Sequence, residues 1–533
     1  MSDHALRVYK RPTILTAVEA VLSFGEIALS AQENDKLRQY FKLNGRANLV
    51  NDTRAIECGD VFCAVIGTVR DGREFVQQAL SADCAMVLVE TLKPAEHGQL
   101  TWIVNANHVS VPVLSYYQLN EKLFAVAKAF YGMPEDKLNI IGITGTNGKT
   151  STSQIIANLL DDCQRNCAVI GTTGAGKLAQ LQAIENTTPG ATQLQQLLAL
   201  FAEESISDVA MEVSSHALSQ KRVTTELFNT TVFTNLTRDH LDYHKTMAAY
   251  AAAKHEIFSG SAEQVAVLNG DDLQAQAWLK NWPNAQPVVV YGRDENIRHY
   301  SRFVQASNIR HHATGVSFEL HTEQGQCQIH SQLLGDFNVE NLLAAIAVLM
   351  VENIALNTIS QAVSHLVPII GRMEAFSAEN KPTAVVDYAH TPDALSSALD
   401  ACRLHCHGKL WVVFGCGGDR DTGKRVLMAQ VAESKADRII ITNDNPRTEN
   451  PDTIAQAIIA GLSTTDNAIK ILDREQAVLT ALSEADANDV ILCAGKGHED
   501  YIIFGNEKQH YDEREVVRSF YASSQSAKNE VEL

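Results

Sequence analysis

Between residues 142 and 151 the chain reads GITGTNGKTS, a set of residue types whose spacing suits the cradling of a polyphosphate. Gly145 and Gly148 let the backbone turn so that the amides around Thr146 and Asn147 can face an anion. Lys149 brings a cation to the terminal phosphates, Thr150 offers a hydroxyl to magnesium, and Ser151 carries the chain into the next element. Ile143 stands where the general G-x-x-x-x-G-K-[ST] pattern has its first glycine, so the loop is a variant of that pattern. The expected ligand is ATP with Mg2+.

A second set of reactive groups follows. The stretch DVAMEV, ending beside Glu212, runs into Ser214, Ser215 and His216, and VFTNL leads to Thr237, Arg238, Asp239 and His240. Both lie at the carboxyl ends of predicted strands, where open α/β sheets bind their ligands. Glu212 and His240 are therefore candidate magnesium ligands. Taken singly, the first also suits a helix cap and the second a satisfied core position; their joint placement favours the site. Lys254 closes MAAYAAAK, a predicted helix of small apolar residues. A desolvated lysine has a lowered pKa, and its neutral amine can add carbon dioxide to become a carbamate, exchanging a cation for a carboxylate. Composition alone would make it a plain surface lysine.

The elements that must position these groups alternate along the chain. LNIIGIT, CAVIGTT, DVAMEV, TTVFTNL and EQVAVLN read as strands, with SQIIANLLDDC and QLQQLLALFAEE as helices between them. This predicts a doubly wound, mostly parallel sheet covered on both faces. Upstream, DVFCAVIG, REFVQQALSA and CAMVLVE make a smaller α/β unit; the helical connector LNEKLFAVAKAFYGM is predicted to end at Pro134. Downstream, TAVVDY, KLWVVFG, DRIIITND and DVILCAG repeat the pattern. The expected fold is α/β in three domains: a smaller N-terminal α/β domain over 1–114, a central P-loop domain over 115–368 and a Rossmann-like C-terminal domain over 369–533. The tail from Ser523 is polar and expected to be loose.

Composition sets the remaining bounds. Among 533 residues, Asp and Glu outnumber Lys and Arg by 63 to 44, a net charge of −19 that disfavours nucleic acid as a partner. Ten cysteines with no secretory leader read as reduced thiols of a cytoplasmic protein, and no apolar run is long enough to span a membrane. Cys402, His405, Cys406 and His407 are closely spaced but lack a second ligand pair, and read as a helix end before the strand LWVVF. A monomer is expected.

TGTNGKTS, EVSSHAL, NLTRDHLDYH, YAAAK, LGDFNVENLLAA, GRME, VVDYAHTPDAL, GGDRDTGKR, TNDNPR and GKGHED occur in the order found in the Mur ligases, which the chain resembles from about Asn51 to Glu515. The resemblance implies that ATP phosphorylates a carboxylate of a nucleotide-linked precursor and that an incoming amine displaces the phosphate, chemistry that depends on positioning and charge neutralisation. It implies that Lys149 holds phosphates, Thr150 and Glu212 one magnesium, and His240 and carbamylated Lys254 a second. It places Asn338 and Asn341 on the adenine side, Arg372 on ATP and Asp387 at the ribose. For UDP-N-acetylmuramoyl-L-alanyl-D-glutamate it implies Asn51, Thr53, Thr68, Val69 and Arg70 at the nucleotide, and Asn186, Thr187, Thr188, Ser214, Gln220 and Arg222 at the sugar-peptide.

The motif Asp444-Asn445-Pro446-Arg447 marks the family's diaminopimelate-adding branch, with Arg420, Gly495 and Glu499 completing the implied site. The physical reason is direct: meso-2,6-diaminopimelate has a second carboxylate that an arginine fork can pair with, and lysine lacks it. Glu499 would take the distal ammonium. The competing readings are a lysine-adding Mur ligase, a folylpolyglutamate synthase-like ligase sharing the phosphate loop, and a nucleotide-responsive binding protein without turnover. The helical pattern TILTAVEAVLSFGEIAL before Asn51 carries no assignable motif.

Overall fold

Aliphatic runs of five or six residues become buried strands wherever helices can cover both of their faces, and that rule generates most of this structure. The computed structural model describes residues 11–42, 45–67, 70–283, 285–312, 315–368, 370–420 and 422–529. They fall into two compact units, residues 1–268 with 272–288, and residues 269–271 with 289–533.

In the first unit the N-terminal apolar pattern forms the helix Ile14–Phe24, which buries Ile14, Ala17, Val18 and Val21 at helical spacing and packs on the helix Leu119–Tyr131. A second helix, Ala31–Phe41, starts at a reciprocal cap in which Ser30 and Glu33 satisfy each other's backbone amides. Five strands follow in the spatial order Leu49–Val50, Val61–Ala64, Met86–Thr91, Ser110–Tyr117, Leu100–Val104; only the last pairing is antiparallel. The connector helix stops at Tyr131, before the predicted Pro134, because Gly132 takes a left-handed conformation (φ 75°) and ends it.

The larger sheet of this unit runs Gly174–Gly176, Cys167–Gly171, Asp208–Glu212, Asn139–Thr144, Thr230–Phe233, Val265–Asn269. All of these pairings are parallel except the first. Asn139–Thr144 sits centrally, so the loop that leaves it emerges where the strand order reverses.

In the second unit Val288–Gly292 pairs in parallel with Phe303–His312, and Gly315–Thr322 and Gly325–Ser331 add an antiparallel meander. The helix Leu356–His365 packs along Gly325–Ser331, where the Ser360 hydroxyl donates to the Gln328 carbonyl at 2.9 Å. A six-stranded sheet follows in the order Glu374–Phe376, Thr383–Asp387, Val490–Ala494, Leu410–Phe414, Arg438–Ile441, Ala468–Lys470, parallel after its first pair. Alternate residues enter two cores, Val385, Val412 and Leu492 on one face, Val386, Val413 and Ile491 on the other. The final helix is Glu513–Asn529. No helix among the described residues is long and apolar enough to cross a membrane.

Candidate functional site

The Gly-rich loop expected to hold phosphates joins Asn139–Thr144 to the helix Lys149–Asp162, which begins at Gly148 with φ 84°. At Gly145, φ is 149° and an added Cβ would lie 1.9 Å from the Thr234 hydroxyl oxygen, so only glycine fits. The Thr146 amide donates to the Asn235 carbonyl at 2.8 Å and the Asn147 amide to the Asn235 side-chain oxygen at 3.0 Å. These two amides, expected to face an anion, are thus turned to Asn235. Lys149 Nζ folds back on its own loop, donating to the carbonyls of Gly145 at 3.0 Å and Thr146 at 2.9 Å. Burial lowers its pKa, with Glu212 and Asp239 pulling the other way.

Glu212, the last residue of Asp208–Glu212, is buried. Its carboxylate accepts from the Thr172 amide at 2.8 Å, from the Thr172 hydroxyl at 3.2 Å and from the Thr150 side chain. Burial raises its pKa against those hydrogen bonds and the Lys149 charge. A Cβ at Gly171 would come within 2.1 Å of the Glu212 carboxylate, so the glycine is what leaves it room.

Lys254 lies on the helix Met247–His255 and is 1% exposed. Its Nζ donates to the Gly145 carbonyl at 2.7 Å and sits 4.6 Å from the Tyr250 ring. Burial, then the Lys149 charge, brings its pKa down to about 6. Lys149, Thr150, Glu212 and Lys254 therefore gather at the loop. His240 stands further out: its backbone is left-handed (φ 52°), its side chain is 45% exposed beside Asp239, and its ring centroid is 5.9 Å from that of Tyr250.

Thr150 and Glu212 present hard oxygen donors on one hydrogen-bonded pair, the donor chemistry magnesium takes when substrate phosphates and water complete its shell. No group of three or more His, Cys, Asp or Glu among the described residues could hold a metal alone. His405 is occupied structurally: its Nε2 accepts from the Gly335 amide at 3.0 Å and its Nδ1 meets the His312 carbonyl at 2.5 Å. All ten cysteines are free.

Next to Glu212, the Thr188 hydroxyl donates to the Glu212 carbonyl at 2.9 Å and accepts from the Ser214 amide at 3.0 Å, while Arg222 donates to the Thr188 carbonyl at 3.2 Å. Thr187 and Thr172 share a 3.0 Å hydroxyl contact. Asn51 accepts from Thr192 at 2.9 Å, and Thr53 begins a short 3-10 turn capped by Asp52. Asn186, Gln220 and Arg70 are exposed. Thr68 and Val69 lie outside the described residues.

In the second unit the buried Asn338 and Asn341 bond each other at 3.2 Å, and Asn338 also donates to the Leu334 carbonyl. Asp387 accepts from the amides of Met373 and Ala389, both at 2.8 Å, and burial raises its pKa. The Arg372 guanidinium lies 5.0 Å from the centre of the Tyr388 ring.

The strand-end loops at Asp444–Arg447 and Gly495–Glu499 meet closely. Asn445 donates to Glu499 at 3.0 Å. Arg447 has a left-handed backbone (φ 51°) and one terminal nitrogen on the Gly418 carbonyl at 2.9 Å. Arg420 is exposed. Glu499, expected to await an ammonium, already meets one from the chain itself: Lys496 Nζ at 3.1 Å.

Sequence reasoning passed over Lys496, Thr172, Tyr250 and Asn235. Lys496 and Tyr250 stood inside quoted motifs, GKGHED and YAAAK, and burial is the signal that a motif does not carry.

A family model described as the Mur ligase middle domain matches residues 143–349, and one described as the Mur ligase glutamate ligase domain matches residues 371–497. A UDP-N-acetylmuramoyl-L-alanyl-D-glutamate–2,6-diaminopimelate ligase of Haemophilus influenzae is 43% identical over 473 residues, 89% of this chain and 96% of the relative. That of Haemophilus ducreyi is 44% identical over 475 residues, 88% and 94% of the two chains. A solved structure of a ligase with the same name superposes with a TM-score of 0.70 at 33% identity, covering 95% of this chain and 99% of the other.

Proposed function

The chain belongs to the Mur ligase family, and from that premise we propose that it joins meso-2,6-diaminopimelate to UDP-N-acetylmuramoyl-L-alanyl-D-glutamate, using ATP, in the cytoplasmic assembly of peptidoglycan precursors. The relatives that cover most of the chain carry that activity in their names. The observation that carries the reading in this chain is the gathering of Lys149, Thr150, Glu212 and Lys254 at one loop: both lysines donate to the Gly145 carbonyl, and Glu212 takes the Thr150 side chain beside the Lys149 charge.

In this reading the D-glutamyl side-chain carboxylate attacks the γ-phosphorus of ATP, releasing ADP and forming an acyl phosphate. The diaminopimelate amine then adds to the acyl carbon, loses its proton, and the tetrahedral intermediate expels phosphate to leave the amide. Lys149 exchanges its loop carbonyls for the terminal phosphates, offsetting charge that would repel the attacking carboxylate. Thr150 and Glu212 would hold magnesium, and His240 with a carbamate on Lys254 would serve a second ion. When bound, these ions screen the phosphates from the carboxylate and stabilise charge during transfer. Thr188, Ser214 and Arg222 orient the sugar-peptide, Asn51, Thr53, Thr68, Val69 and Arg70 the nucleotide, and Asn338, Asn341, Arg372 and Asp387 the adenosine. Arg447 takes the distal carboxylate of diaminopimelate. Residues 1–114, 115–368 and 369–533 correspond to the UDP-, ATP- and amino-acid-binding domains.

Phosphate release from ATP in the presence of the UDP-linked dipeptide tests this. Diaminopimelate should support turnover far better than lysine, and glutamate not at all. A preference for lysine would reduce the reading to an amino-acid-adding ligase of the family, and release with a folate and glutamate would replace it.

A further inference from the structure

We propose that Lys496 is a positioning and specificity-determining residue for the acceptor amino acid, locking Asp444, Asn445 and Glu499 into one unit of single net negative charge. The inference rests on the diaminopimelate reading above and deepens it.

Lys496 has no exposed surface. Its Nζ lies 2.9 Å from the Asn445 side-chain oxygen, 2.9 Å from the Tyr501 carbonyl, 3.1 Å from Glu499 Oε2 and 3.3 Å from Asp444 Oδ1. An ammonium has three protons, so four acceptors saturate it and leave it nothing to offer a substrate. What it does instead is orient its neighbours. The Asn445 oxygen accepts from Lys496 and from the Ile503 amide at 2.9 Å, which turns the Asn445 amide nitrogen onto Glu499 Oε2 at 3.0 Å. Glu499 Oε2 is then held from two sides, and Oε1 is the oxygen left for an incoming ammonium. The frame beneath is equally fixed: Arg474 donates to the carbonyls of Asn443 and Ala494, the residues just before the two loops, and pairs with Glu513 with both side chains fully buried.

The charges decide what such a site prefers. Asp444 and Glu499 contribute two negative charges, and Lys496 cancels one. Arg447 stands against the charge that remains, so the distal end of diaminopimelate, which carries one ammonium and one carboxylate, meets an opposite charge for each. Lysine's distal end is a lone cation. Removing the Lys496 charge would tilt the site toward lysine and against the second carboxylate.

The test is steady-state phosphate release by the full-length enzyme with Lys496→Met and Lys496→Arg. In Lys496→Met, kcat/KM for diaminopimelate should fall at least tenfold, chiefly through KM, while KM for ATP and for the UDP-linked dipeptide stays within about twofold. The diaminopimelate-to-lysine ratio of kcat/KM should narrow about tenfold. Lys496→Arg keeps the charge but not the tetrahedral geometry, so it should restore the ratio and leave KM for diaminopimelate a few-fold high. Equal losses with both amino acids, or no change, overturn the proposal. If Lys496→Met does not fold, Lys496→Arg decides: a wild-type KM for diaminopimelate overturns it. A wild-type enzyme that ignores diaminopimelate sinks the functional reading instead, before any variant is made.

Discussion

Replacing Lys254 by methionine removes a charge while keeping a side chain of similar length, and the structure says what that should do to both stability and turnover. Burial and Lys149 bring the lysine's pKa to about 6 from an ordinary 10.5. At about pH 7.5 such an amine is roughly 97% neutral, against about 0.1% for an unperturbed lysine, so roughly a thousandfold more of it is ready to add carbon dioxide. The folded-state pKa lies below the unfolded one, so the unfolded chain binds the extra proton between pH 6 and 10.5. Stability therefore rises with pH through that window: the penalty is complete below about 6 and gone above about 10.5. At about 1.4 kcal/mol per pKa unit the full penalty is on the order of several kcal/mol, reduced by the hydrogen bond to Gly145. In buffer free of carbon dioxide, Lys254→Met should resist urea better than wild type by a few kcal/mol near pH 6, with the advantage shrinking toward pH 10. Its turnover should drop at least a hundredfold. Labelled bicarbonate should give a carbamate resonance in wild type that the variant lacks. An advantage that grows with pH would refute the burial argument, and wild-type turnover in the variant would remove Lys254 from the chemistry.

Other substitutions probe the loop and the acceptor site. Lys149→Ala should lose turnover by about a thousandfold, because the terminal phosphates lose the cation that offsets their charge; near-normal rates at saturating ATP would sink the phosphate-loop reading. Gly145→Ala should raise KM for ATP sharply, and adding Thr234→Ala, which removes the hydroxyl 1.9 Å from the new Cβ, should recover part of the loss; absence of any recovery would mean that the left-handed φ alone is responsible. Arg447→Ala should lower kcat/KM for diaminopimelate by about a hundredfold and change the poor use of lysine far less, since only the former loses a buried carboxylate partner; equal losses would assign Arg447 to general positioning.

The alternation of strands and helices was legible because each parallel strand is a short continuous aliphatic run, such as LWVVF, set between helical patterns. The turn between the strand Asn139–Thr144 and the helix Lys149–Asp162 was legible too, since Gly145 and Gly148 take positive φ angles that few other residues adopt. Helix ends were less so: Pro134 looked like the stop for the connector, but Gly132 ended the helix first by turning left-handed. Lys496 was invisible for a different reason. A lysine in a glycine-rich motif reads as a group for the ligand, and only the three-dimensional arrangement reveals that its protons are already used by Asn445, Glu499 and the Tyr501 carbonyl. Thr172 and Asn235 have no pattern of their own; they matter through the partners that distant parts of the chain bring to them.

The strand Gly325–Ser331 ends the antiparallel meander, and such an end is a template on which a second chain can grow. Its sequence, GQCQIHS, alternates polar and apolar residues and lacks proline and any charge of the lysine or glutamate kind, so it has little chemical protection against strand addition. The helix Leu356–His365 packs along it, and Ser360 takes up the Gln328 carbonyl that a foreign strand would need. That short helix therefore acts as a guard for colloidal stability. Loosening it would show first as association between molecules at high protein concentration, with the chemistry of each molecule intact.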